Sequence, residues 1–429
     1  MQSELDRNLR HNFIVNVFDG GFFGFAVGIA SFVTVIPLFV NTMSNWTMLI
    51  GLIPAIHAMG WQLPQLLTGH RVTRLTRFKP MTMWMTVHER LPFFGLAAVA
   101  YFLPRLGTSP ALVLTYVLLV WQGLGGGFTA TAWQSLIAKV IPPHRLGTFF
   151  GTQSAMANLF AAVGAFAAGL ILQQVAAPLN FTICFLTAAF AMMISFVFLG
   201  STREPAHVPA NIDESHEVFW QRVRSILRHD GQFRQFVAAR IVLQFGTMAF
   251  AFYTIYVVRS FNASAELTGL LTTVYMATQI VANPVIGWVG DHTSHLLVMI
   301  LGVAAAALSA LLALFATGVA WFYPVFVLAG IANVGLWTSA MTMTLEFGRD
   351  GERPAYVGLT NTLLAPATIL APVLGGWLAD AAGYSAMFGA SVLGAVAAGL
   401  LMGLLMWQRV AAGRQLQVTR GRTAEAGER

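Results

Sequence analysis

The sequence predicts an all-α membrane protein, with twelve transmembrane helices folded as two pseudo-symmetric six-helix bundles. Three observations lead there. Of 429 residues, 57% are hydrophobic and only 10% charged, whereas soluble domains carry about 25% charged residues. Twelve runs with scarcely a charge recur along the chain, each near the ~20 residues that cross ~30 Å of hydrocarbon as a helix. The two halves also resemble each other when shifted by 207 to 218 residues.

In order, the first half holds runs at 13–40, 46–67, 81–103, 111–136, 148–175 and 180–199. The second holds runs at 236–258, 267–290, 296–316, 321–345, 355–379 and 384–407. The opening "MQSELDRNLRHN" is polar and leads into an apolar stretch too long for a signal-peptide core, with no cleavage site, so it reads as a retained first helix. Residues 201–235 form the one long polar connection. Within it, "EVFWQRVRSILRH" has amphipathic spacing that suits either a short helix on the cytoplasmic membrane surface or a solvated linker. The expected organisation is an N-terminal bundle over 1–200, a linker over 201–235, a C-terminal bundle over 236–408 and a basic tail over 409–429.

The formal charge of +7 reads as a topology signal and not as nucleic-acid binding. With the N-terminus in the cytoplasm, the short connections on that side hold ten Lys/Arg residues against two on the other, Arg105 and Arg259. Both termini are therefore expected in the cytoplasm. The single Cys184 excludes an intrachain disulfide and the usual cysteine-based metal sites. "HERLP" begins like the zinc motif H-E-x-x-H, but Pro92 stands where the second histidine belongs. No G-x-x-x-x-G-K-[ST] phosphate loop occurs, so the chain has no ATPase of its own. Nor is there a nucleophile, base and oxyanion set, and no enzyme is expected.

At an offset of 207, "GTQSAMANLFAAVGAFAAG" falls on "GLTNTLLAPATILAPVLGG", and Gly123 on Gly330. At 218, "LLTGHRV" with Gly69 overlies "PVIGWVGDH" with Gly287. A duplicated six-helix unit is a common plan for a secondary transporter, with the substrate site between the halves. With the motifs that follow, the chain from 13 to 407 resembles the major facilitator superfamily. That family's loop between helices 2 and 3 reads G-x-L-A-D-R-x-G-R-K. Here "GHRVTRLTRFK" keeps Gly69, Arg74 and Arg77, with Thr73 at the aspartate position, while the second copy, "GWVGDH", keeps Gly287 and Asp291. The resemblance implies a cytoplasmic gate, with Asp291 bonding a neighbouring helix end. "LVWQGLGGG" is similar to the R-x-x-Q-G pattern of helix 4 at Gln122 and Gly123, with Leu119 at the arginine position. The antiporter pattern G-P-x-x-G-G appears as "GAFAAG", Gly164 to Gly169, and as "APVLGG" with Pro372, Gly375 and Gly376. These stretches suit a hinge or a close helix contact.

The stretch "VNVFDGGFFGF" puts Asp19 ~9 Å below the cytoplasmic edge of helix 1, too deep for its short side chain to reach water. A charge there in lipid costs ~3 kcal/mol even on the lenient insertion scale, so Asp19 should face a watery cavity or a partner. Glu89 and Arg90 lie at similar depth in helix 3, and adjacent residues on a helix point apart. Each should therefore reach across to another helix: Arg90 to Asp19, or Glu89 to a polar group on helix 2. One carboxylate then takes up and releases a proton as access alternates, or else the group is a permanent ion pair holding three helices together. Arg240 either snorkels to the surface or is a cavity cation for anionic substrates. His57 either titrates in a wet site or is a hydrogen-bonded packing residue. Asn16, Gln122, Gln244, Asn333 and Trp337 fall on helices 1, 4, 7 and 10, which the resemblance places around the cavity. Trp121 and Trp133 join them or belong to an interfacial aromatic girdle.

The expected function is secondary active transport of a small molecule by alternating access, driven by protons. Export of a moderately hydrophobic compound is preferred to proton-coupled uptake. A non-transporting membrane sensor is the alternative from another class. The expected partners are a small-molecule substrate, protons and membrane lipids, with no cofactor, metal or nucleic acid. A monomer in a bacterial cytoplasmic (inner) membrane is expected.

Overall fold

The computed structural model describes residues 2–44, 47–206, 215–348 and 352–427, and among them the regular elements are all helical. The start of the second expected span, residues 207–214 of the linker and the last two residues of the tail lie outside the described residues. Hydrocarbon offers no partner to a backbone amide, so apolar runs of this length close their hydrogen bonds within helices. The first half comprises α1 (Gln2–Ile29), α2 (Val35–Asn41), α3 (Thr47–Gln62), α4 (Gln65–Val72), α5 (Lys79–Arg90), α6 (Pro92–Leu106), α7 (Thr108–Val140), α8 (Leu146–Gln174) and α9 (Leu179–Gly200). After α10 (His216–His229) come α11 (Gly231–Gly246), α12 (Tyr253–Phe261), α13 (Ala265–His292), α14 (His295–Leu314), α15 (Phe322–Phe347) and α16 (Arg353–Gly427).

Among the described residues, nine segments are long and apolar enough to cross a membrane. One of them, Arg353–Ala411, accounts for the last two expected runs, because α16 turns at Gly383, where φ is 86°. Glycine adopts that backbone without the Cβ clash other residues would meet. The second and third expected runs are interrupted helices. Pro64 separates α3 from α4, and Pro92 follows the junction of α5 and α6; proline removes an amide donor and crowds the preceding turn. The first run breaks between α1 and α2, and the seventh between α11 and α12, at the short turn Met248–Ala251.

Glycines set the closest packing in the N-terminal bundle. A methyl group on Gly24 would lie 2.2 Å from the backbone oxygen of Ala157, and one on Gly28 would lie 2.2 Å from that of Ala161. Small residues four apart thus bring α1 onto α8 backbone to backbone. Aromatic side chains fill the remaining core: Phe39, Phe93 and Phe185 in the first bundle, and Tyr253, Phe322 and Phe388 in the second.

The linker forms the short helix its amphipathic spacing allowed, and protein covers its apolar face. Phe219, Val223 and Ile226 on the apolar face of α10 are buried in a protein cluster with Phe233 and Tyr356. Neither lipid nor water meets that face. The reason lies in α4, where Gly69 leaves room for Phe219, whose ring also lies 5.6 Å from that of His70. The connection is anchored at its start as well. Glu204 accepts the amides of Phe78 and Lys79 at 2.7 and 2.8 Å, beside the Lys139 ammonium at 2.7 Å. A carboxylate at a helix N-terminus completes unpaired amides and opposes the helix dipole.

Candidate functional site

A cavity of about 550 Å³ lies between the bundles. The first bundle supplies Asp19 and Phe23 from α1, His57 and Trp61 from α3, Thr86, Glu89 and Arg90 from α5, Trp133 from α7, and Gln153 from α8. The second supplies Trp337, Thr338 and Met341 from α15 and Thr368 from α16. Of the residues singled out in the sequence, Asp19, Glu89, Arg90, His57 and Trp337 line this cavity.

The acidic and basic groups form one buried cluster. The Arg90 guanidinium lies 3.3 Å from the Asp19 carboxylate, donates to Ser195 Oγ at 2.9 Å, and donates through Nε to the backbone oxygen of Met192 at 3.1 Å. Ser195 in turn donates to Asp19 at 2.6 Å. This cross-helix pairing of α5 with α1 and α9 satisfies a charge that lipid would not. Glu89 departs from expectation, since its hydrogen-bond partner is on its own helix and not on the second span. Thr86 Oγ1 donates to its carboxylate at 3.5 Å, the nearest guanidinium nitrogen of Arg90 is 3.9 Å away, and Arg90 also donates to Thr86. The long arginine side chain curls back far enough to touch a neighbour that Cβ directions alone would exclude. Glycines of the "GLGGG" run make this possible: a methyl on Gly125 would meet the Glu89 amide at 2.5 Å, and one on Gly126 the Glu89 carboxylate at 2.8 Å.

Several candidates lie off the cavity wall. Asn16 is buried nearer the chain terminus, donating to the Asn12 carbonyl at 2.8 Å and to Thr202 at 3.0 Å, and so ties α1 to the start of the linker. Gln122 faces α3 behind the cavity, where its Oε1 is 3.0 Å from His57 Nδ1. His57 is further held by stacking on Phe32, with ring centroids 4.1 Å apart. Asn333 donates to Gln279 at 2.9 Å, joining α15 to α13. Arg240 stacks over the Phe236 ring, 5.7 Å from its centroid, and Gln244 likewise does not line the cavity. Trp121 donates to His88 at 3.2 Å away from the cavity, unlike Trp133. Asn16, Gln122, Asn333 and Trp121 each bond to a group outside the cavity lining or, for Gln122, to the back of His57. Thr86, Ser195, Gln153 and Trp61 were missed. The signal was faint: single hydroxyls and amides in apolar spans are common, because they bond to the preceding turn.

At the end bearing the linker, the bundles meet directly. Asp291 at the end of α13 accepts the amides of Gly147 and Thr148 at 2.8 and 2.6 Å, capping α8 across the bundle interface. A methyl on Gly287 would fall 2.1 Å from the Gly147 oxygen, and one on Gly151 2.2 Å from the Asn283 oxygen. The second contact joins α4 to α16, where Asn361 donates to Gln65 at 2.6 Å and a methyl on Gly358 would fall 2.7 Å from the Leu66 Cα. Arg74 and Arg77 are exposed on the loop between α4 and α5. Among the candidate hinge glycines, Gly164 packs against α1, a methyl there reaching the Phe25 oxygen at 2.4 Å. Gly375 faces Phe252 at 3.0 Å and Gly376 the same ring at 3.5 Å, next to Pro372 within α16. Gly169 faces open space, so the packing expected of it is absent: α8 has passed the end of its contact with α1.

A family model for the Major Facilitator Superfamily matches residues 89–258 and 236–426. The chain belongs to that superfamily and is a transporter by fold. No curated protein matches the sequence. Among solved structures, the superfamily transporter FucP in its outward conformation aligns with a TM-score of 0.76 at 13% identity, over 92% of this chain and 98% of that one. A bacterial homologue of the iron transporter ferroportin, in an outward-facing state, gives 0.72 at 11% identity over 92% and 99%. The proton:xylose symporter XylE gives 0.69 at 16% identity over 94% and 96%.

Proposed function

We propose that the protein is a proton-coupled exporter of a small, moderately hydrophobic compound, working by alternating access between its two bundles in a bacterial cytoplasmic membrane. The observation that carries this reading is the cluster on the cavity wall, in which two carboxylates, Asp19 and Glu89, share the single guanidinium of Arg90. With one proton bound, the cluster is neutral. Without it, a buried excess negative charge remains, and buried charge beyond what is paired is costly. Proton occupancy and water access are thereby linked. Trp61, Trp133, Trp337, Met341 and Phe150 give the cavity aromatic and apolar walls suited to a cargo of that character. The contacts of Asp291 and Gly287 support reading this state as sealed on the cytoplasmic side, with the termini on that side.

Vesicles holding the purified protein, with an imposed pH gradient, test this directly. Proton-driven solute movement is expected in the parent, with at least a tenfold loss in Asp19→Asn and a flattened pH profile in Glu89→Gln. Transport that persists unchanged in both variants, or when the gradient is collapsed, excludes the cluster as the coupling device. Two superfamily structures similar in fold are described as proton symporters, for fucose and for xylose, so uptake is the second reading. The direction of proton-coupled accumulation in the same assay distinguishes the two.

A further inference from the structure

At the linker-bearing end, a recess of about 900 Å³ opens at the junction of the bundles, separate from the central cavity. Three segments line it: Arg10 and Phe13 in the early turns of α1, His144 and Arg145 just before α8, and Trp288 and His292 in the last turns of α13. These are the ends of three candidate spans, Arg7–Ile29, Pro143–Gln174 and Leu267–His292. The basic groups therefore share one layer, at the depth of lipid headgroups. Asp291, the only acid in the lining among the described residues, already holds two α8 amides and sits 3.3 Å from His295. Arg10 and Arg145 are exposed, and neither has a carboxylate partner among the described residues. His292 is held in place by the Trp288 carbonyl at 2.8 Å and by that residue's ring, with centroids 4.3 Å apart. Apart from Thr148, the rest of the lining, including Leu9, Phe13 and Ile14, is apolar.

We propose that this recess binds an anionic glycerophospholipid, its phosphate between Arg10 and Arg145 and its acyl chains along Phe13, Ile14 and Trp288. Guanidinium groups match phosphate geometry, and the apolar half of the lining suits acyl chains where a free anion would need none. α1 and α8 belong to one bundle and α13 to the other, so the lipid spans the joint that Asp291 closes. On the alternating-access reading above, it favours the state sealed at this end; binding itself does not depend on that reading.

Thermal unfolding of the full chain in neutral detergent, with phosphatidylglycerol or phosphatidylcholine added at equal mole fraction, tests the site, since a ligand of the folded state raises its melting temperature. Phosphatidylglycerol should raise Tm by several degrees more than phosphatidylcholine. The double variant Arg10→Gln/Arg145→Gln should lose that difference, while a charge-matched control on α10, Arg224→Gln/Arg228→Gln, should keep it. An equal response in the Arg10/Arg145 variant, or an equal loss in the control, overturns the proposal in favour of diffuse attraction. Inorganic phosphate that reproduces the shift overturns it in favour of a free-anion site. A measurement on the unmodified chain does not depend on the variants folding. After incubation with equal amounts of both lipids and extensive washing, phosphatidylglycerol should be enriched in the retained lipid, and equal retention overturns the proposal.

Discussion

Gly287 against Gly147 and Gly69 against Pro354 are the same cross-bundle contact, related by the internal repeat at offsets of 218 and 207. In the α13–α8 copy the backbones nearly touch, and Asp291 adds two charge-assisted bonds to the α8 amides. In the α4–α16 copy, Thr73 stands in the aspartate's place and its hydroxyl bonds only to the His70 carbonyl at 2.9 Å. Cross-bundle bonding there falls to neutral groups, Gln65 with Asn361 at 2.6 Å and Gln62 with Thr368 at 3.4 Å, and the linker's Phe219 fills the space over Gly69. Bonds to a charged group contribute about 1.5–3 kcal/mol against roughly 0.5–1.5 for neutral ones. One seal is thus electrostatic and backbone-tight, the other neutral and filled by an aromatic ring. The duplication conserved the geometry of closure while its chemistry diverged.

The strongest way to break this contrast is steric. Gly287→Val pushes two methyl groups into the Gly147 backbone, which has no flexible side chain to yield. Transport in vesicles should fall to background while helical circular dichroism and monodisperse elution are kept; retention of half the parent rate would refute a backbone-tight seal. Asp291→Asn should follow, with a loss of about 1.5–3 kcal/mol from the sealed state. That corresponds to roughly tenfold or greater maleimide labelling, from the face bearing the Asp291 contact, of a cysteine introduced at Ser154 on the cavity wall. Unchanged labelling would show that packing alone seals this copy. The smallest effect is expected from Thr73→Asp, which makes the copies alike. An acid near the α16 N-terminus should contribute about 0.3–1 kcal/mol and lower the same labelling two- to fivefold. Increased labelling would show that the neutral copy cannot accommodate a charge.

The spans, their pairing by repeat and the Asp19–Arg90 contact were legible because each follows from the cost of polarity in hydrocarbon. Charges punctuate the spans, and two opposite charges at one depth seek each other. The wall of the cavity was far less legible. In a soluble helix the apolar face marks the core, but in a bilayer the lipid face and the packed face are both apolar, and the sequence loses that sign. Asn16, Gln122 and Asn333 sit on helices that line the cavity yet face away from it, and nothing in the sequence set Ser195 and Thr86 apart from other hydroxyls. The covering of the linker helix was illegible for a related reason: an amphipathic pattern reports that one face avoids water without naming what covers it, and Gly69, the residue that makes room, lies far away in sequence.

The breaks after α1 and after α11 fall at equivalent points of the repeat. Each bundle's leading span is therefore jointed partway along, and its distal piece, α2 or α12, is a lever of only 7 or 9 residues. On the proposed alternating-access reading, sealing the mouth remote from the termini would ask only for re-aiming two short rods, while parting the Asp291 contact would ask for whole bundles to swing. On that reading the cycle would have two doors of unequal inertia, the heavier one at the Asp291 end.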